Sequence, residues 1–275
     1  MKGLLRRLRG VRVEPRQPPP RPLSEAEWRD AAAQFDAGPG VVGATGGSGT
    51  RVVARIVMRG GMFLGDDRNR SEDALDFGAF ADRWVSAYEA GRRPAELVAE
   101  LRALVARQHE AARGAPWGWK EPRSIYLLQL LADELPGLRF LHVVRDGRDM
   151  AYSENQVQLR KHGRAVLGDA EGGPSRSIAL WSAVNLRAAD LGERVLGNRY
   201  LRVRFEDLCA EPAATTAAVL DFFSLAGDAA AIARDEVAAP QTLGRWRTRP
   251  PEEVAELERE AAEALRRFGY QSSSA

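Results

Sequence analysis

The sequence predicts a single three-layer α/β domain, in which a central, mostly parallel sheet carries helices on both faces. Three observations point there. Short apolar runs at 41–44, 139–144 and 200–205 read as buried strands. Stretches of helical periodicity separate them, the pattern expected of parallel strands joined by crossover helices. The first run leads directly into a glycine-rich turn followed by a helix, the arrangement of a P-loop-like phosphate cradle. The length of 275 residues suits one large domain, and 44% hydrophobic with 28% charged residues is ordinary for a globular enzyme.

The first 23 residues read as a flexible basic and proline-rich tail. Lys2, Arg6, Arg7, Arg9, Arg12 and Arg16 concentrate charge there, and 14–22 (EPRQPPPRP) favours an extended polyproline-like spacer. A frayed tail and a short amphipathic helix in weak contact with a membrane surface are both open for 1–13. The stretch has a signal peptide's charges without its apolar centre. The folded domain is expected over 24–270, opening with the helix cap at Ser24, and 271–275 reads as a disordered tail.

Further along, 51–59 and 95–113 have helical spacing, the latter with an apolar stripe of Leu97, Leu101, Leu104 and Val105. Residues 62–64 look strand-like, 117–120 reads as a second short strand and 127–135 as a helix. The chain at 150–153 is expected to continue as a helix after the 139–144 strand. The glycine-rich stretch 161–175 has no clear period and reads as a long loop. Helices are expected at 213–223, 229–237 and 252–268.

The turn Gly46-Gly47-Ser48-Gly49-Thr50-Arg51 is built to hold an anion. Glycines admit positive φ and close approach of the backbone to a ligand, and the following helix N-terminus adds partial positive charge. Ser48 and Thr50 offer hydroxyls, and Arg51 offers a cation. No lysine follows Gly49, so the turn is not a Walker A motif, which counts against ATP or GTP hydrolysis. A second basic group, Arg145-Asp146-Gly147-Arg148-Asp149, follows the 139–144 strand at its carboxyl end, where open α/β sheets place ligands. A solvated charged turn is the alternative for Arg145 and Arg148, as core packing is for Phe205 and Trp246.

These segments together resemble the sulfotransferase superfamily over roughly 41 to 246. The matching pieces are Ser48-Gly49-Thr50 after the first strand, Lys120-Glu121-Pro122-Arg123, Arg145 with Ser153 eight residues on, Phe205-Glu206-Asp207-Leu208, and Gly244-Arg245-Trp246. The K-x-P segment is similar to that of the branch containing the tyrosylprotein and bacterial carbohydrate sulfotransferases. The resemblance implies 3′-phosphoadenosine 5′-phosphosulfate (PAPS) as sulfonate donor and 3′,5′-adenosine bisphosphate (PAP) as product. It implies that Gly46, Gly47, Ser48, Gly49, Thr50 and Arg51 cradle the 5′ end, that Arg145 and Ser153 hold the 3′ end, and that Arg245 also reaches the nucleotide. Lys120 takes the role of contacting the transferring sulfonate.

Two departures stand out. Gly47 occupies the place where many members carry a cation, so Arg51 is the candidate replacement. Pro122 stands where the cytosolic branch carries its histidine base. The candidate bases are therefore Asp66, Asp67, Glu72 and Asp73, with Asp67 favoured; His109, His142 and His162 are weaker candidates. No metal-ligand spacing is present and none is needed for in-line sulfonate transfer. The implied acceptor is a hydroxyl on a small molecule, glycan or peptide. A net charge of +2 argues against nucleic acid as partner, and no run is long enough for a transmembrane segment. Cys209 is the only cysteine, which suits a reducing, cytoplasmic location. No feature speaks to oligomeric state. A catalytically silent PAPS- or PAP-binding relative and a P-loop-like kinase are the competing readings.

Overall fold

The computed structural model describes residues 17–35, 37–169 and 171–270. The stretch 1–16, with its expected tail or surface helix, and the expected disordered tail 271–275 lie outside the described residues. Within the remainder of the expected tail, the Pro18 carbonyl accepts from Arg107 (2.8 Å), and Arg21 pairs with Glu27.

Helix α1 (Glu25–Ala32) starts at Ser24, whose hydroxyl accepts from Glu27 N while the Glu27 carboxylate accepts from Ser24 N. Strand β1 (Gly40–Ala44) leads through the glycine turn to α2 (Thr50–Arg59). Helices α3 (Leu75–Glu89) and α4 (Ala95–Ala112) precede β2 (Gly118–Lys120). A 3-10 segment, Pro122–Leu127, runs into α5 (Leu128–Glu134), then β3 (Arg139–Val144) and α6 (Gly147–Ala151). Next come α7 (Val157–Leu167), α8 (Pro174–Leu191) and β4 (Tyr200–Arg204). The chain closes with α9 (Phe205–Ala210), α10 (Pro212–Phe222), α11 (Ala229–Glu236), α12 (Pro251–Glu260) and α13 (Ala262–Arg267).

Among the described residues the sheet has the order β2-β1-β3-β4, parallel throughout. Val42 lies opposite Lys120 on one side and Leu141 on the other, and Val144 lies opposite Arg204. Alternate strand residues feed two cores. Val41 and Phe140 pack with the Leu97–Leu101 stripe of α4, Trp119 and Leu180, while Val42, Leu141, Val143 and Val203 pack with Val53, Val57 and Leu220. Burial on both faces is why β1 and β3 read as unbroken apolar runs. A third cluster joins Val144 to Trp181, Leu257 and Phe268, seating α12 and α13 against α8.

Four expectations need correction. Residues 161–175 are not a long loop: α7 extends to Leu167 and α8 starts at Pro174. The glycines act as punctuation, with Gly168 ending α7 at φ 85°, a conformation open to it because it lacks a Cβ. The expected helix at 252–268 is two helices, broken at buried Ala261 (φ −116°). The helix after β3 stops at Ala151 instead of running through Ser153, and Tyr152 leaves the helical region. Residues 62–64 contribute a single bridge, Phe63 to Trp117. Helices α3 and α8 carry no strong local signal, because their buried positions hold mixed aromatic, small and polar residues.

Candidate active site

The cradle at the end of β1 owes its shape to local chemistry. Ser48 is fully buried, and its hydroxyl donates to the Thr45 carbonyl (2.7 Å), with Thr45 Oγ1 at 3.3 Å. Gly47 and Gly49 both have φ near 90°. Gly49 caps α2 without a side-chain bond, and a Cβ there would stand 2.2 Å from the Phe205 ring. The ring of Phe205 is thus pressed against the cradle from below, which explains why it is 3% exposed. Thr50 is buried at the helix start. Arg51 lies on the exposed side of α2 and makes no ion pair among the described residues.

The corner after β3 is a network of charges. Arg145, 5% exposed, donates through Nη2 to Asp149 (2.9 Å) and to the Thr242 carbonyl (2.5 Å). Its Nε is buried without a partner, and the guanidinium sits 5.5 Å from the centre of the Phe205 ring. Asp149 in turn accepts from the backbone N–H of Gly244 (2.7 Å) and of Trp246 (3.3 Å), anchoring the segment that presents Arg245. Arg245 donates to the Thr242 and Tyr152 carbonyls, each at 3.2 Å. Burial first, and then the neighbouring charge of Arg145, lower the Arg245 pKa, so the two guanidiniums share one electrostatic environment.

Arg148 has a different occupation. It grips Asp146 (2.8 Å) and Glu258 (2.5 Å) and stacks 3.7 Å above the Trp246 ring. That makes it a buried clamp between α6 and α12 and gives Trp246 a packing role. Glu206 accepts from Asp146 N (2.9 Å) and from the Tyr270 hydroxyl (2.8 Å), fastening the turn after β3 to the start of α9. Because α6 is short, Ser153 returns to the cradle: its Oγ lies 3.8 Å from where a Cβ on Gly47 would stand. Ser153 Oγ also accepts from Asn155 N (3.2 Å).

Lys120 ends β2, 2% exposed, and its ammonium donates to the Ser71 carbonyl (2.9 Å) and pairs with Asp73. Asp73 also accepts from the Asn69 amide (2.8 Å). Arg123 binds Glu121 (2.7 Å), Asp82 and the Gly78 carbonyl (3.0 Å), fixing the segment after β2 to α3. Ala74 N donates to the Lys120 carbonyl and Leu75 N to the Asp67 carbonyl, so Lys120 and Asp67 flank one turn. Asp76, near Asp67, pairs with Arg107 at 2.6 Å. Glu72 pairs with Arg68 (3.2 Å) and Asp66 is exposed.

The histidines lie in packed surroundings. His142 is held between the Tyr200 hydroxyl and Asn185 Oδ1, both at 2.7 Å, and burial pushes its pKa down to about 4. His162 is 1% exposed, with Nδ1 3.1 Å from Ser86 Oγ, and burial lowers it likewise to about 4. His109 packs between Phe35 and Trp117. Neither Thr242 nor the Asp73–Lys120 pair carries a local sequence signal, because each is brought to its partner by the fold alone.

A parallel sheet with a strand–glycine turn–helix cradle, faced by paired guanidiniums, defines a P-loop-like α/β protein. The profile of the family described as "Sulfotransferase family" matches residues 44–229, and the chain belongs to that family. Among solved structures it is similar to a sulfotransferase domain from the curacin biosynthetic pathway. The TM-score is 0.54 at 14% identity, covering 86% of this chain and 98% of that one, which shows a shared fold. A sulfotransferase from Alicyclobacillus acidocaldarius aligns with TM-score 0.48 at 14% identity, covering 86% and 98% of the two chains. A mouse sulfotransferase complexed with PAP aligns at 0.42 and 12%, covering 90% and 94%. No curated protein matches the chain in sequence.

Proposed function

We propose that the chain transfers a sulfonate from PAPS to a hydroxyl acceptor. The observation that carries this reading is the meeting of the two halves of the site. Ser153 stands beside Gly47, and Arg245 bonds the adjoining Tyr152 carbonyl while feeling the charge of Arg145. A ligand with an anionic group at each end fits such a surface better than one with a single phosphate. The orphaned, buried Nε of Arg145 is a donor still lacking an acceptor. In this reading Gly46, Gly47, Ser48, Gly49 and Thr50 hold the 5′ end, helped by the α2 N-terminus. Arg145, Ser153 and Arg245 hold the 3′-phosphate.

PAPS supplies the sulfonate: an acceptor oxygen–sulfur bond forms as the bond from sulfur to the 5′-phosphate oxygen breaks. Lys120 stabilises the charge on the transferring group, and Asp73 orients its ammonium. The acceptor proton passes to Asp67, which lies across the same turn from Lys120. Arg51 supplies the cation missing at Gly47. An unspecified hydroxyl compound, glycan or peptide is the acceptor. Among the described residues no helix is long and apolar enough to cross a membrane, and we place the protein in the cytoplasm, where Cys209 stays reduced.

The test has two stages. Thermal unfolding with PAP, ATP and GTP should show selective stabilisation by PAP, and no shift with PAP would sink the donor site. Labelled PAPS with a cell extract should then transfer label in the wild type and lose it in Asp67→Asn. A second reading, donor binding without turnover, is favoured by bare Gly47; PAP binding with no label transfer would select it.

A further inference from the structure

One wall of the cradle comes from a side chain that belongs neither to the glycine turn nor to the arginine corner. Gln158, in the first turn of α7, reaches back to the end of β1. Its Nε2 lies 3.4 Å from where a Cβ on Gly46 would stand. The Tyr126 hydroxyl donates to Gln158 Oε1 at 3.0 Å, which turns the amide so that Nε2 faces Gly46. Tyr126 is 2% exposed and burial raises its pKa, so the phenol keeps its proton and remains a donor. The Tyr126 ring is braced against His162 (5.3 Å between ring centres), and His162 is tied to Ser86 on α3. Gln158 and Gly46 line a narrow cleft together with Thr45, Asn155 and Leu159. Gln158 Nε2 donates to no acceptor among the described residues.

We infer that Gln158 is a sulfonate-binding residue and that Tyr126 is its positioning residue, an inference that rests on the PAPS reading. Amides of the turn and the α2 N-terminus gather at Ser48, Gly49 and Thr50, where the 5′-phosphate belongs. Gly46 is at the strand end of the turn, before the chain reaches the helix that opens at Thr50. A donor aimed there meets the group beyond the phosphate, which in PAPS is the sulfonate. A neutral amide gives that group a hydrogen bond at the end of the cradle where Gly47 supplies no cation.

The test compares affinities for PAPS, which carries the sulfonate, and PAP, which lacks it, by calorimetry. Gln158→Ala should weaken PAPS roughly tenfold, as expected for losing a hydrogen bond to a charged group, and leave PAP within about twofold. Tyr126→Phe should shift the PAPS-to-PAP affinity ratio in the same direction by a smaller factor. A purely structural role would lower both affinities together. Equal losses for the two ligands, or no change in either, would overturn the assignment while leaving the donor site standing. A wild-type protein that binds neither nucleotide would remove the donor reading itself.

Discussion

The cradle after β1 and the corner after β3 face the same space but are built by opposite means. In the cradle, shape comes from backbone conformation: two glycines near φ 90°, a buried Ser48 hydroxyl on the Thr45 carbonyl, and the Phe205 ring against Gly49. In the corner, shape comes from side chains that are distant in sequence. Arg145 and Asp149 bind each other, Thr242 and the backbone of Gly244 and Trp246. The first arrangement is written in consecutive residues and tolerates little change in side-chain volume. The second spans about a hundred residues and depends on charge balance. In the proposed function the backbone cradle would take an anion without rearrangement, whereas Arg145 already has protein partners that a phosphate would have to share.

The largest effect expected from this contrast is in the corner. Arg145→Ala leaves Asp149, whose side chain is fully buried, without its cation. Breaking a buried pair from one side costs about 3–5 kcal/mol, so urea unfolding should show a loss of that order together with loss of PAP binding. A stability within 1 kcal/mol of wild type (about a fivefold change in the folding equilibrium) would mean that the corner is not held by charge.

Gly49→Ala probes the other side. A Cβ there meets Phe205 at 2.2 Å and forces an alanine into the left-handed region, for about 3 kcal/mol of combined strain and overpacking. Denaturant unfolding measures this, and a near-neutral result would show that the cradle relaxes in a way the comparison denies. The smallest effect on folding is expected for Arg245→Ala. Arg245 bonds only backbone carbonyls and completes no buried ion pair, so stability should stay within about 0.5 kcal/mol. PAP affinity should nevertheless fall roughly tenfold. Loss of folding without loss of binding would reverse the proposed division between an arginine that builds the corner and an arginine that reads the ligand.

How much of this was legible in advance follows the same division. Strands β1, β3 and β4, the Ser24 cap and the glycine turn all announced themselves, because each depends on neighbours within a few residues. The long loop expected at 161–175 was misread because its glycines end and begin helices α7 and α8. Arg148 stood beside Arg145 in the same motif with nothing local to separate them. Only the packing of α12 and Trp246 shows that Arg148 is consumed by Asp146 and Glu258.

By itself, then, the sequence determined the parallel α/β layering, the strand–glycine turn–helix cradle and the order of the motifs that mark the sulfotransferase family. Those rest on periodicity and on short-range backbone chemistry, which a linear chain displays directly. The tertiary structure alone decided that Asp73 holds Lys120, that the short α6 returns Ser153 to Gly47, and that Tyr126 aims Gln158 at Gly46. Each of these is a contact between segments that only the packed sheet and its helices bring within hydrogen-bonding or van der Waals reach, and its strength depends on the burial that packing creates.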